Sequence, residues 1–240
     1  MICLVRHGTT PTTGKVLPGR AKGLHLSETG LGEARRAADL LSGVPVAAVY
    51  SSPLERARET AAPIARALGA RVRVDRRLVE CDFGEWTGAE LAKLRKLPEW
   101  TTVQHWPSGW RFPKGESFVE VQGRMTAVID AYRHAHPGEV VVAVSHADCI
   151  KALLASCLGL PLDLFQRINV GPASTSAVAL GADGPSVLAM NCYGSLPGLF
   201  PHAPGADKAA KAVSANGPGG PRRPSSKVNP RRPSSKVKSG

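Results

Sequence analysis

The chain opens Met1-Ile2-Cys3-Leu4-Val5-Arg6-His7-Gly8-Thr9-Thr10, and this stretch decides the fold. Met1 to Val5 is a short apolar run that stops at Arg6-His7-Gly8, the pattern of a buried strand ending in a loop. A second such run, Val140 to Val144, stops at Ser145-His146. Segments of helical spacing alternate with short apolar runs along the chain. That predicts an α/β fold of three layers, a mainly parallel central sheet flanked by helices on both faces. In such sheets the ligand crevice lies beyond the carboxyl ends of the strands. His7 and His146 both fall at such ends, which gives two distant histidines a geometric reason to meet.

Working outward, Ser27 caps an amphipathic helix that ends near Gly43, and a strand follows over Val46 to Tyr50. Ser51-Ser52-Pro53 turns into a second helix, with Pro53 in its first turn and Leu54, Ala57, Ala61, Ile64, Ala65 and Leu68 at helical spacing. Arg56 falls in the first turn, and Pro63 predicts a kink or break. Arg71 to Val74 is a short strand, Leu78 to Trp86 runs into a loop, and a helix is expected near Ala89 to Leu97. Trp86, Trp100, Trp106 and Trp110 beside Pro107, Pro113 and Gly115 predict an ordered lid. Packing suits Trp86, while the other three fit lid packing or an apolar wall for a substrate equally well. Glu116-Ser117 opens a helix that runs past Tyr132 and ends at Pro137-Gly138; Cys149 to Leu158 is a further helix. Thr175 to Leu180 and Ser186 to Cys192 form a closing strand pair.

The run Leu4-Val5-Arg6-His7-Gly8-Thr9-Thr10 resembles the signature of the histidine phosphatase, or phosphoglycerate mutase-like, superfamily (branch 1). Its companions follow in order. Ser51-Ser52-Pro53-Leu54-Glu55-Arg56-Ala57 is similar to the segment carrying the family's second phosphate-binding arginine. Leu78-Val79-Glu80 with Gly84-Glu85-Trp86-Thr87-Gly88 is similar to its acid segment, and Val144-Ser145-His146 to the segment of its second histidine. The resemblance spans roughly residues 2–193. Taken singly, His7 is a loop histidine, Arg56 a solvated helix charge and Glu80 a turn carboxylate; the ordered set gives them meaning.

A phosphomonoester needs a nucleophile, cations for the phosphoryl oxygens and an acid for the leaving oxygen. The resemblance implies that neutral His7 attacks phosphorus, while Arg6, Arg56 and protonated His146 hold the phosphoryl group without a metal or other cofactor. It implies that Glu80 protonates the leaving alkoxide and then activates water, its pKa raised by burial and by the phosphate. The catalytic set is thus His7, Glu80 and His146, and the phosphate-binding set Arg6, Arg56 and His146. Thr13 stands where the family frequently has Asn, and Gly19-Arg20-Ala21-Lys22-Gly23 replaces its Arg-x-Gln-Gly segment. Thr13 and Arg20 are therefore candidate substrate-pocket residues.

The expected function is a phosphatase acting on a small phosphorylated metabolite. A phosphomutase of the same family is the first alternative, and a noncatalytic phosphate- or nucleic-acid-binding protein a remote one. Arg6 interrupts the opening too early for a signal peptide, and no later run has membrane-spanning length, so a cytoplasmic protein with no membrane partner is expected. The five cysteines are odd in number and widely spaced, which suggests neither a disulfide framework nor a metal site. His25, His105, His134, His136 and His202 lack partners at metal-ligand or triad spacing and receive no role.

The organisation expected is a catalytic domain over residues 1–200 and a disordered basic tail over 201–240. The net charge of +12 lies mostly in that tail, because residues 204–240 hold nine Lys and Arg against the single acid Asp207. Pro-Arg-Arg-Pro-Ser-Ser-Lys-Val occurs at 221–228 and again at 230–237, a composition that favours disorder. No aromatic is interleaved with those charges, so contact with nucleic acid would be weak and salt-sensitive. Ser225, Ser226, Ser234 and Ser235 are candidate phosphate acceptors.

Overall fold

A computed structural model describes residues 1–194. The strands are β1 (Ile2–Arg6), β2 (Val46–Ser51), β3 (Val72–Val74), β4 (Val140–Ser145), β5 (Thr175–Gly181) and β6 (Gly184–Cys192). They form one sheet in the order β3-β2-β4-β1-β5-β6. β3, β2, β4 and β1 run parallel, while β5 pairs antiparallel with both β1 and β6. The three-layer, mainly parallel α/β arrangement is the one the alternation of elements predicts. The expected disorder of the tail, and the boundary at 201, lie outside the described residues.

Alternation along β1 explains the two cores. Ile2 and Leu4 face one side and pack with Phe118, Val121 and Met125 of α5 (Phe118–Ala135) and with Ile150 and Leu154 of α6 (Ala147–Cys157). Cys3 and Val5 face the other, with Ala37 and Leu41 of α1 (Glu28–Leu41) and Ala57, Ala61 and Ile64 of α2 (Glu55–Ala67). A period of two with both faces covered is what a central strand requires. Ser27 caps α1 by accepting the Gly30 N–H, and Ser117 forms a capping box with Glu120 at the start of α5. None of the helices among the described residues is long and apolar enough to cross a membrane.

Three local expectations are corrected. Pro53 precedes α2 instead of entering its first turn: Leu54 is extended, with its N–H directed at Ser52 Oγ, and the helix begins at Glu55. Pro63 does not break α2, which continues to Ala67. The bond it removes is the single one its N–H would give to Glu59 O, and the rest of the ladder carries the helix past it. The helix expected over 89–97 is shortened to α3 (Leu91–Leu94), and a further helix, α4 (Pro98–His105), follows it. Pro98 holds Leu97 extended and then serves as the first residue of a new helix.

The segment expected to be a lid is ordered by its aromatics. Trp86 stacks on Trp100 at 6.3 Å and meets Trp110 at 5.4 Å and Phe112 at 5.5 Å. Trp100 and Trp110 thus pack against the core, whereas Trp106 is 61% exposed. The two ends of the lid are zipped together where Glu85 N donates to Pro113 O and Glu116 N to Asp82 O. Gly84 makes the approach possible at φ +51°, where a Cβ would overlap the Pro113 carbonyl oxygen. Gly84→Ala combines left-handed strain with that overlap and is expected to destabilise by about 2 kcal/mol or more. Thermal melting should register a fall of roughly 5 °C or more; an unchanged midpoint would show that the lid ends are not held together as described.

Candidate active site

Parallel pairing of β1 with β4 aligns Arg6 with Ser145, so the next residues, His7 and His146, emerge side by side. Their ring centroids are 5.1 Å apart. β2 ends one strand over, where Ser52 N donates to Val144 O, and α2 then returns Arg56 to the same place. The Arg56 side chain is fully buried; its Nε lies 3.3 Å from His7 Nε2 and its Nη2 donates to Gly19 O at 2.8 Å. Arg6 Nη1 donates to Val170 O at 2.7 Å. Glu80 enters from the loop after β3 and holds Oε2 3.9 Å from His146 Nδ1. Arg6, His7, Arg56, Glu80 and His146 thus converge at the carboxyl end of the sheet.

The hydrogen bonds assign the tautomer of His7. Nδ1 lies 2.7 Å from Gly8 O, a pure acceptor, so Nδ1 carries the proton. Nε2 keeps its lone pair and faces the Arg56 guanidinium. Burial first, then Arg56 and Arg6, push the His7 pKa down to about 3, which keeps the ring neutral. Glu80 moves the other way, up to about 7, through burial first and then Asp148.

Three buried polar atoms of the cluster have no hydrogen-bond partner: Arg6 Nε, Arg56 Nη1 and His146 Nδ1. Buried polar groups left this way are costly; an oxyanion placed among them would accept from the two guanidinia, and from His146 Nδ1 when that ring is protonated. The expectation of a protonated His146 needs that anion too. Burial first, then Arg56 and His7, hold the imidazole well below its ordinary pKa; a phosphate dianion is the counter-charge that reverses the direction. His146 Nε2 is fixed by Ser52 Oγ at 2.7 Å.

Arg20 and Thr13 both have partners within the protein. Arg20 donates from Nε to Glu80 O at 2.9 Å and pairs with Asp82 and Glu116. Thr13 Oγ1 accepts from Thr10 N at 2.9 Å and so closes the turn after His7. Of the remaining histidines within the described residues, His25 meets Glu59, His105 meets Thr101 O, His134 meets Asp130 and His136 meets Tyr50 and Glu139. His202 lies outside the described residues.

Ser52, Asp148 and Thr60 were not singled out in the sequence. Thr60 Oγ1 accepts the Gly8 N–H and donates to Arg56 O, tying the histidine loop to α2. Asp148, two residues past His146 in the first turn of α6, carried a readable signal as a charge at a strand's carboxyl end. A cavity of about 280 Å³ lined by Met1, Tyr132, His136 and Leu180 lies at the amino ends of the strands and shares no residue with the cluster. Among the described residues, no group of three or more His, Cys, Asp or Glu is placed to hold a metal ion.

A family model of the histidine phosphatase superfamily (branch 1) matches residues 2–193. The chain belongs to that superfamily. This histidine phosphatase is 32% identical over 197 residues to phosphoserine phosphatase 1 of Hydrogenobacter thermophilus, covering 79% of this chain and 91% of that one. It is 32% identical over 185 residues to a probable phosphoglycerate mutase of Proteus mirabilis, covering 74% and 83%. Among solved structures, mycobacterial glucosyl-3-phosphoglycerate phosphatase superposes with a TM-score of 0.73 at 27% identity, over 80% of this histidine phosphatase and 98% of that chain.

Proposed function

We propose that this chain is a metal-independent phosphatase that hydrolyses a small phosphomonoester metabolite through a phosphohistidine on His7. The observation that carries the reading is the neutral, Nδ1-protonated His7, whose Nε2 lone pair faces Arg56 in a cluster with three unsatisfied buried polar atoms. His7 Nε2 attacks phosphorus in line with the leaving oxygen. Arg6, Arg56 and His146 hold the phosphoryl oxygens, and Glu80 gives its proton to the departing alkoxide. Glu80, now a carboxylate, takes a proton from water. That water breaks the P–N bond, which releases phosphate and restores the lone pair on His7.

Phosphatase names among the relatives support hydrolysis. The mutase relative supports the second reading, in which phospho-His7 returns its phosphoryl group to an organic acceptor. The deciding assay follows phosphate release from a panel of phosphomonoesters with chelator present, together with trapping of acid-labile phosphoprotein. Release with a trapped intermediate is expected. Phosphoryl exchange between two organic phosphates without release would establish the mutase, and loss of release on chelation would sink metal independence.

The catalytic unit is taken as residues 1–200, with 201–240 appended to it. A chain ending at residue 203 is therefore expected to keep full activity; if function leaves with the tail, the binding-protein alternative takes its place.

A further inference from the structure

Glu80 lies between the short helical turns Arg76–Leu78 and Gly84–Trp86, in a segment with no helix or strand of its own. Its Oε1 accepts the Cys81 N–H at 2.9 Å and the Cys149 thiol at 3.5 Å, while Oε2 stands 3.9 Å from His146 Nδ1. The height of the carboxyl above the phosphoryl site also depends on what holds the Glu80 backbone. Two guanidinia do so: Arg20 Nε donates to Glu80 O at 2.9 Å and Arg124 Nη2 to the same oxygen at 3.2 Å. Arg124 Nη1 also donates to Arg77 O at 2.8 Å.

Both guanidinia converge on one carboxylate at the far end of the lid. Glu116 Oε2 accepts from Arg124 Nη2 at 3.0 Å and from the Asp82 N–H at 3.0 Å and forms an ion pair with Arg20 Nη2 at 2.9 Å, and Oε1 accepts from Arg124 Nε at 3.1 Å. The Glu116 side chain is only 21% exposed. Charge-assisted bonds of this kind, shielded from solvent, fix both position and orientation.

We infer that Glu116 is a positioning residue for the general acid: through Arg20 and Arg124 it sets where the Glu80 carboxyl stands. This rests on the proposed role of Glu80. It also makes Arg20 part of the acid's support instead of a wall of the substrate pocket. Burial alone would push the Glu116 pKa up, but hydrogen bonds from Arg124 hold it below its ordinary value, so the clamp stays ionised at neutral pH.

The role separates substrates by leaving group. A p-nitrophenolate departs without a proton, whereas an alkoxide needs one. Glu116→Gln is expected to lower kcat on glycerol phosphate by about 10–100-fold and on p-nitrophenyl phosphate by less than about threefold. Binding of inorganic phosphate should be unchanged. Loss of the carboxylate also leaves Arg20 and Arg124 uncompensated near Glu80, which favours its ionised form, so the falling limb of the pH profile should move to lower pH.

Equal losses on both substrates with an unmoved limb would overturn the inference, because a structural defect does not distinguish leaving groups. If Glu116→Gln does not fold, Arg20→Gln tests the same point with the Arg124–Glu116 pair intact. A selective fall in kcat on glycerol phosphate is expected; a raised KM at constant kcat would return Arg20 to the substrate pocket and overturn the claim. Glu80→Gln is the control. If it too ignores the leaving group, the reading of Glu80 as the acid has failed, which is a different result from a Glu116 variant that ignores it while Glu80→Gln responds.

Discussion

His7→Ala is expected to lower turnover on the order of 10⁴-fold or more and to leave no phosphoprotein to trap. Its Nε2 holds a lone pair that faces the Arg56 guanidinium, and no nearby group replaces it: Ser52 Oγ is committed to His146 Nε2, and Cys149 is buried with its thiol pushed away from ionisation. Inorganic phosphate should still bind, because Arg6, Arg56 and His146 remain. A readout independent of turnover follows from the low pKa of His7. A histidine held at about 3 against an ordinary 6.5 contributes stability above the ordinary value that is lost as pH falls towards the folded one. The melting temperature of the wild type should therefore fall between pH 7 and pH 4, and His7→Ala should reduce that fall. A variant that keeps phosphate release within tenfold would remove His7 from the reaction.

Much of this geometry could be read from sequence because the decisive elements are short and strongly patterned. β1 and β4 are nearly pure apolar runs that stop at a histidine, and once the sheet is parallel the register of Arg6 with Ser145 follows with little freedom. Helix starts were legible where a side chain does the capping, as at Ser27 and Ser117. They were misplaced where proline chemistry competes. Pro53 suits a first turn, but Ser52 Oγ diverts the Leu54 N–H and delays α2. Pro98 opens a helix that the expected one over 89–97 did not include.

The support around the cluster was harder to read, because it depends on contacts between segments far apart in the chain. The place of Arg20 in a loop points to the pocket; its hydrogen bond to Glu80 O and its ion pair with Glu116 cross 60 and 96 positions of chain, which no local pattern encodes. Glu116 read as the opening of a helix, and Asp148 was passed over beside His146. Each is a charge whose meaning comes from what it faces.

Glu80→Gln tests the other half of the chemistry and carries a prediction of opposite sign for stability. On an alkyl phosphomonoester, kcat/KM should fall by about 10²–10⁴-fold, the range of a positioned general acid, with far less change on p-nitrophenyl phosphate. For the free wild-type enzyme kcat/KM should decline below about 3, where His7 takes a proton, and above about 7, where Glu80 loses one. The upper limb should vanish in the variant.

The same raised pKa bears on folding. Glu80 ionises at about 7 in the folded chain against an ordinary 4.5, so its contribution to stability is fully present below the ordinary value and is lost as pH rises through the folded one. Above that range the wild type must bury a carboxylate beside Asp148, whereas a neutral amide of the same shape can keep the Cys81 N–H bond. Glu80→Gln should therefore be more stable than wild type at pH 8, by up to on the order of 3 kcal/mol, and close to equal at pH 4. Melting curves at the two pH values decide the matter. A variant that loses activity and also melts lower at pH 8 would mean that Glu80 is held by favourable contacts to its charge, and that its proton is not stored for the leaving oxygen.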